Sequence, residues 1–215
     1  MPDVELPADA VIVARLRARD EAMFAALLDA WSPGMLRVAR AYVGDEHAAQ
    51  DVVQEAWLGV LRGIDDFESR ASLRTWTYRI LVNRAMSRGS RDARVIPASA
   101  LTLTAEDYAP TVDPARFRGS DDPYPGHWRS HPERWPTPES ELLARETRRY
   151  LAAALEQLPA RQRIVVTLRD VEGYSSEQVC EILAVSAANQ RVLLHRGRAA
   201  LRAALEEHFT QEVPA

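Results

Sequence analysis

The residues best suited to chemistry lie near the C-terminal end of the sequence, in YSSEQVCEILAVSAANQRVLLHRGRAAL, from Tyr174 to Leu201. Residues 186–202 contain four Arg and no Asp or Glu. Arg can bind guanine through two hydrogen bonds, Asn can bind adenine, and small apolar side chains can contact the methyl group of thymine. The chemistry indicated by this stretch is therefore the reading of base edges in DNA.

The local pattern around these residues predicts a helix-turn-helix. Ser175 or Ser176 can cap a short apolar helix, residues 184–186 form a turn, and Ser186 can cap a longer helix that extends to about His208. In such a motif the second helix enters the major groove and its first turns reach the bases. An ordinary helical hairpin with a polar outer face is the alternative interpretation.

The second helix presents two kinds of candidate contact. Those suited to base edges are Ala187, Ala188, Asn189, Arg191 and Val192. Those suited to phosphates, which position a protein without specifying sequence, are Ser186, Arg196 and Arg198, with His195 beside them on the same helix.

Charge is segregated along the rest of the chain. The net charge is −4 and the sequence contains no lysine, so every basic group other than His is an arginine. Residues 70–91 carry six Arg and no acid, whereas residues 45–68 carry seven acids and only Arg62. Separate charged blocks indicate separate surfaces for different partners, although solvated helix faces are the usual meaning of a charge run.

Apolar spacing of three and four residues predicts an all-α fold of two helical domains. Eight of the 13 prolines lie between Pro97 and Pro138, which predicts a long Pro-rich linker over 91–138 between domains at 10–90 and 139–208. Within the first domain, the sequence Ser32-Pro33-Gly34 is expected to interrupt a helix.

Composition limits the possible functions further. No apolar run approaches the roughly 20 residues that span a bilayer, and the N-terminus lacks a signal-peptide pattern, so we expect a cytoplasmic protein without membrane insertion. A single cysteine, Cys180, excludes an internal disulfide and a cysteine-rich zinc site, and a buried inert thiol is expected. The sequence indicates no metal and no cofactor.

The C-terminal stretch and its lead-in, LPARQRIVVTLRDVEGYS, resemble region 4 of bacterial sigma factors, especially the extracytoplasmic-function (ECF) class. The sequence departs from that family at Ala184, where the turn usually has Gly, and at Gln190, where an apolar residue is usual. The resemblance implies that this region reads the minus-thirty-five element of a promoter.

Two N-terminal segments resemble region 2 of the same family. The first, Asp51-Val-Val-Gln54-Glu55, is similar to the motif that docks on the β′ clamp helices of RNA polymerase, which implies that role for Asp51, Gln54 and Glu55, with Trp57 and Leu58 beside them. An acidic block is the electrostatic complement of the Arg-rich helices of that partner. If this motif stood alone, an acidic solvent-exposed helix face would be the simpler interpretation of it.

The second segment, DDFESRASLRTWTYRILVNRAMSR (residues 65–88), resembles the part of region 2 that melts and reads the minus-ten element. The implied roles are capture of a flipped base for Phe67, Ser69 and Arg70, duplex-edge contacts for Asn83 and Arg84, and phosphate contacts for Arg74, Arg79 and Arg88. Trp76 is either a stacking aromatic or a core residue. Arg79 and Ile80 replace the Trp pair of primary sigma factors, which implies weaker melting and stricter promoter demands.

The resemblance implies a non-enzymatic sigma factor whose partners are RNA polymerase core (β′ clamp helices and β flap), promoter DNA and an anti-sigma factor. The linker contains Trp128 and Trp135, and we interpret it either as a segment that threads polymerase channels or as a plain spacer. A conventional helix-turn-helix regulator with an N-terminal ligand or dimerisation domain would leave residues 51–55 and 65–88 unexplained. An enzyme is disfavoured, since no nucleophile–base pairing or phosphate-binding glycine loop is present.

Overall fold

The computed structural model describes residues 6–43, 45–89, 111, 114–116, 118, 129 and 141–212. The α-helices within these ranges are α1 (Asp9–Arg17), α2 (Glu21–Val43), α3 (Glu46–Gly63), α4 (Leu73–Gly89), α5 (Glu141–Gln157), α6 (Ala160–Val166), α7 (Ser176–Leu183) and α8 (Ala187–Glu212). A 3-10 turn at Pro114–Arg116 lies in the linker, and the described ranges contain no strand. The predicted all-α fold class is confirmed.

Helices α1–α4 form the N-terminal domain, in which α2, α3 and α4 pack against one another in pairs. Its centre is apolar, and the core side chains that have no exposed surface include Leu27, Met35, Val52, Leu73 and Leu81. Burial of each such side chain contributes about 1.5–3 kcal/mol relative to exposure. Asp45 caps α3 by accepting a hydrogen bond from the backbone N–H of Ala48 at 2.8 Å.

The predicted interruption at Ser32-Pro33-Gly34 is wrong, because α2 continues through Pro33 to Val43. A proline inside a helix removes a backbone hydrogen bond and costs about 3 kcal/mol. Contacts on both sides of the proline offset this cost. Trp57 Nε1 donates to Ser32 Oγ at 3.1 Å, Trp31 stacks on Trp57 with ring centroids 6.2 Å apart, and Gly34 is buried.

Helices α5–α8 form the C-terminal domain, in which α8 packs against α5, α6 and α7. Helix α6 continues into a π-helical turn at Thr167–Val171, where the N–H of Glu172 donates to the carbonyl of Thr167 at 2.9 Å. Gly173 then ends the helix with φ +75°, a conformation that glycine adopts without steric cost. The predicted break at Gly173 is therefore observed.

The helix-turn-helix is built from local capping interactions. Ser175 and Gln178 form a reciprocal capping box at the start of α7, with hydrogen bonds of 3.2 and 2.8 Å. Ser186 Oγ accepts from the N–H of Asn189 at 3.2 Å and so caps α8. Between the helices, Ala184 has φ 53° and ψ 43°, the left-handed conformation. The turn therefore requires the geometry for which the related family uses glycine.

The two domains lie against each other, with α4 packed on α7 and α2 packed on α6. Part of the linker also contacts α8, since Thr111 Oγ1 lies 3.1 Å from His195 Nε2 and Arg116 pairs with Glu206 at 3.0 Å. Most of the linker, including Trp128 and Trp135, lies outside the described residues. No helix in the described ranges has both the length and the apolar character needed to cross a bilayer.

We expect Ala184→Gly to raise the free energy of unfolding by up to about 1 kcal/mol. An alanine in the left-handed region costs about 1–2 kcal/mol, part of which the larger chain entropy of unfolded glycine offsets. Urea unfolding followed by circular dichroism measures the change. The control is Ala200→Gly in the exposed face of α8, which should lower stability by about 1 kcal/mol. Destabilisation of similar size by both variants would contradict the strain argument.

Candidate nucleic-acid interface

The first turns of α8 present a contiguous outer face. Ala187, Ala188 and Arg191 are exposed and Val192 is half-buried, whereas Gln190 is only 2% exposed. Gln190 lies on the inner face of α8, where its Oε1 is 3.5 Å from Ser176 Oγ on α7. A polar residue thus occupies the inward position of the motif, and Arg191 points outward beside it.

Farther along α8, the predicted phosphate-contacting residues already have partners within the protein. Arg198 forms a two-point ion pair with Asp170, in which Nε lies 2.9 Å from Oδ2. The hydrogen bonds that Arg198 donates to Asp170 raise the pKa of Arg198, so this guanidinium keeps its charge. His195 contacts the linker through Thr111 and Arg196 is half-buried. His195 and Arg198 are therefore exposed but already engaged by other parts of the chain.

Helix α4 presents a second basic face. Arg79, Asn83 and Arg84 are exposed, and Arg79 and Asn83 lie on one side of the helix because they are four residues apart. Arg88, one turn farther on, pairs with Asp51 at 2.7 Å and with Glu55 at 3.7 Å on α3. The structure thus joins a predicted DNA-contacting arginine to two predicted polymerase-docking acids.

The loop before α4 keeps its aromatic side chain inside. Phe67 is 7% exposed and packs on Trp76 with ring centroids 4.9 Å apart, while Trp76 is half-buried over Gly63. In this conformation Phe67 is a core residue and not a free base-capturing side chain, and Trp76 also packs on the core. Arg17 holds the loop, since its guanidinium donates to the carbonyls of Ile64 and Phe67 at 3.1 and 2.8 Å.

The rest of this loop is exposed. Ser69 has φ 55°, a left-handed conformation that is uncommon for residues other than glycine. Arg70 is exposed and pairs with Glu68 at 2.5 Å. These two residues are therefore accessible to a ligand, in contrast to Phe67.

An apolar groove of about 370 Å³ lies between α2 and α3, beside the acidic residues of α3. Leu58, which is 44% exposed, and Gln54 lie on its α3 side, and Phe24 and Leu28 lie on its α2 side. Trp57 is 5% exposed and packs edge-on to Phe24, with ring centroids 5.5 Å apart. Trp57, which we predict beside the docking residues, is thus a largely buried part of the groove lining.

Arg74 differs from the other predicted DNA contacts because it faces the C-terminal domain. Its Nη2 lies 3.2 Å from Glu172 Oε2, and its guanidinium carbon lies 4.8 Å from the ring centroid of Tyr174. Glu172, Tyr78 and Tyr174 carry no local sequence signal for this contact. Their partners are separated by about a hundred positions in the chain, and local spacing carries no signal for such contacts.

The described part of the molecule offers neither a reactive thiol nor a metal-binding cluster. Burial raises the pKa of the Cys180 thiol, so its thiolate is scarce at neutral pH. Among the described residues, no group of three or more His, Cys, Asp or Glu is placed to hold a metal ion.

Comparison with protein families matches two models to this chain in sequence order. "Sigma-70 region 2" matches residues 27–95, and "Sigma-70, region 4" matches residues 148–201. The first of these matches contains α3 and α4, and the second contains the helix-turn-helix.

Curated relatives align over nearly the whole length. RNA polymerase sigma-H factor of Pseudomonas aeruginosa is 29% identical over 198 residues, covering 92% of this chain and 94% of that protein. ECF RNA polymerase sigma factor SigW of Bacillus subtilis is 24% identical, covering 91% and 95%. ECF RNA polymerase sigma-E factor of Haemophilus influenzae is 27% identical, covering 88% and 91%.

Two solved structures share the fold. CnrH in complex with the cytosolic domain of CnrY aligns with a TM-score of 0.55 at 21% identity, covering 94% of this chain and 99% of that chain. The sigma factor RpoE in complex with the anti-sigma factor NepR, from Bartonella quintana, aligns with a TM-score of 0.53 at 21% identity, covering 85% and 96%.

We expect Phe67→Ala to lower the free energy of unfolding by about 3–5 kcal/mol, because the substitution leaves a cavity beneath Trp76. The control is Arg70→Ala in the same loop, which should change stability by no more than about 0.5 kcal/mol because Arg70 is exposed. Urea unfolding monitored by tryptophan fluorescence compares the two variants. Equal, small effects would show that Phe67 is not part of the core.

Proposed function

The chain belongs to the extracytoplasmic-function subfamily of RNA polymerase sigma factors, and we propose that its two domains divide promoter recognition between them. Residues 10–90 dock on the polymerase core and open and read the minus-ten element. Residues 139–208 read the minus-thirty-five element through the helix-turn-helix, and residues 91–138 connect the two. The observation that carries this proposal is the ordered match to regions 2 and 4, with an arginine-bearing helix exposed in each.

For polymerase docking we assign the acidic and apolar surface of α3. Asp51, Gln54 and Glu55 are exposed and adjoin the apolar groove through Leu58. Charged rims steer a partner and set its register, while a desolvated apolar centre supplies most of the affinity. The pairing of acids with an apolar groove therefore suits a basic, amphipathic helix such as those of the β′ clamp.

For the minus-ten element we assign the exposed residues of the loop and of α4, which are Ser69, Arg70, Arg79, Asn83 and Arg84, together with Arg74 and Arg88 once their internal ion pairs open. Phe67 and Trp76 belong to this site only if the loop rearranges. For the minus-thirty-five element we assign the first turns of α8, where Ala187, Ala188, Asn189, Arg191 and Val192 face the bases. Ser186, His195, Arg196 and Arg198 suit the phosphates.

Regulation by an anti-sigma factor in a stress or envelope response is also part of the proposal, as is a cytoplasmic location. Support comes from the two solved relatives, one bound to the cytosolic domain of CnrY and one to the anti-sigma factor NepR. The role is initiation, and we assign no enzymatic step to this chain.

Run-off transcription tests the function directly. The purified chain added to polymerase core should give promoter-dependent transcripts, because a sigma factor confers initiation on core alone. Core without the chain is the control. Initiation that needs a second sigma factor would contradict the proposal and favour a conventional helix-turn-helix regulator.

We expect Arg191→Ala to weaken binding to the minus-thirty-five duplex by about 1–3 kcal/mol and to relax specificity at one base pair, because it removes a base contact. The control is Arg202→Ala, which changes an exposed arginine about three turns farther along α8. It should weaken binding to all DNA sequences slightly and to the same extent. Fluorescence anisotropy at one fixed salt concentration measures both. Unchanged specificity in Arg191→Ala would refute this assignment.

A further inference from the structure

Among the described residues, Glu172 is the most deeply buried charge that bridges the two domains. Its side chain is 3% exposed, and its side-chain partners in the described part of the chain, Arg37, Arg74 and Tyr78, come from the N-terminal domain. Arg37 Nε donates to Oε1 at 2.8 Å, Arg74 Nη2 donates to Oε2 at 3.2 Å, and Tyr78 Oη donates to Oε2 at 3.2 Å. A carboxylate removed from water needs such partners, since an unpaired buried charge is strongly destabilising.

Two local features position the carboxylate of Glu172 among these partners. The π-helical turn ends directly before it and directs the chain toward α2 and α4. In the N-terminal domain, Gly34 leaves room for the carboxylate of Glu172. A Cβ atom at this position would collide with that carboxylate and with the hydroxyl of Tyr78. Both domains are therefore shaped for the same contact.

Aromatic rings surround the ion pair. Tyr78 and Tyr174 are 0% and 2% exposed, and their ring centroids lie 5.0 Å apart. Burial raises the pKa of both hydroxyls, so Tyr78 remains a hydrogen-bond donor to Glu172. Arg74 lies over both rings, 4.8 Å from the centroid of Tyr174 and 5.6 Å from that of Tyr78. The centre of the contact between the domains is thus shielded from water, and its hydrogen bonds involve charged groups.

The edge of the contact is polar. Arg163 Nη2 donates to the carbonyl of Ala41 at 3.2 Å, and Arg79 pairs with Glu181 at 3.6 Å. A buried centre with a polar rim is the anatomy of a specific, reversible protein interface. The C-terminal domain therefore binds a surface formed by α2 and α4, much as one protein binds another.

This contact uses two arginines that the proposed function assigns to minus-ten DNA, Arg74 and Arg79, while Asn83 and Arg84 remain exposed. A DNA phosphate offers an arginine the same anionic oxygens as a carboxylate. On that assignment, Glu172 and DNA compete for Arg74.

We propose that the free chain holds itself in a closed arrangement, in which Glu172 of the C-terminal domain occupies the minus-ten face of the N-terminal domain as an internal competitor of DNA. This inference rests on the proposed function, because the site that is masked is the DNA site assigned there. Separation of the domains then precedes promoter binding.

The test measures the distance between domains in the full chain. Donor and acceptor dyes are attached through Ala25→Cys on α2 and Ala200→Cys on α8, both exposed, in a Cys180→Ala background. The wild-type chain should show one population with high energy transfer. Glu172→Arg, which faces Arg37 and Arg74 with a third positive charge, should shift it to low transfer.

The same variant should bind single-stranded minus-ten DNA about tenfold more tightly or better, since apparent affinity scales with the fraction of open chains. The matched pair is Glu172→Gln and Glu177→Gln. Glu177 is exposed and accepts a hydrogen bond from Ser175 Oγ within its own domain, so its substitution should leave energy transfer and DNA affinity unchanged. Glu172→Gln should produce a smaller shift in the direction of Glu172→Arg.

Arg37→Glu provides a second route if Glu172→Arg does not fold, as judged by circular dichroism. The Arg37 side chain is 48% exposed and has no assigned role in DNA binding. The substitution places a carboxylate opposite Glu172. High transfer and unchanged DNA affinity in the folded Glu172 and Arg37 variants would overturn the proposal, as would low transfer in the wild type.

Run-off transcription with polymerase core separates this proposal from the proposed function. If wild type initiates but the variants change neither energy transfer nor DNA affinity, closure is refuted and the sigma-factor role stands. If no form of the chain initiates, the sigma-factor role itself fails.

Discussion

One buried carboxylate sets the arrangement of the two domains. Glu172 is 3% exposed, and its charge is tolerable only because Arg37, Arg74 and Tyr78 are brought to it. That requirement fixes how α2 and α4 meet the turn between α6 and α7. It also accounts for a glycine at position 34, where no side chain fits, and for the π-helical turn that delivers the acid.

Much of the fold follows from signals within a few residues of each other. Apolar periodicity indicates the helical domains, and Ser175, Gly173 and Ser186 mark the ends of helices through capping and backbone geometry. The left-handed Ala184 lies where the related family places glycine. Helix α2 was mispredicted because a local rule about proline was overridden by packing on both of its sides.

The candidate surfaces were predictable to a lesser degree. Helical spacing places Arg191 outward and Gln190 inward, but it does not distinguish an aromatic that meets a partner from one that fills the core. Phe67 and Trp57 are of the second kind in this structure. The ion pairs of Arg74 with Glu172 and of Arg88 with Asp51 join distant parts of the chain, and no local pattern encodes them.

The ion pairs of Arg88 with Asp51 and Glu55 connect a residue that we propose contacts DNA to two residues that we propose dock on polymerase. A protein that engages the acids of α3 weakens their hold on Arg88 and frees it for a phosphate. Coupling free energies are reciprocal, so DNA held by Arg88 must favour engagement of the acids by the same factor. Under these proposed assignments, promoter DNA and polymerase reinforce each other's binding through one arginine.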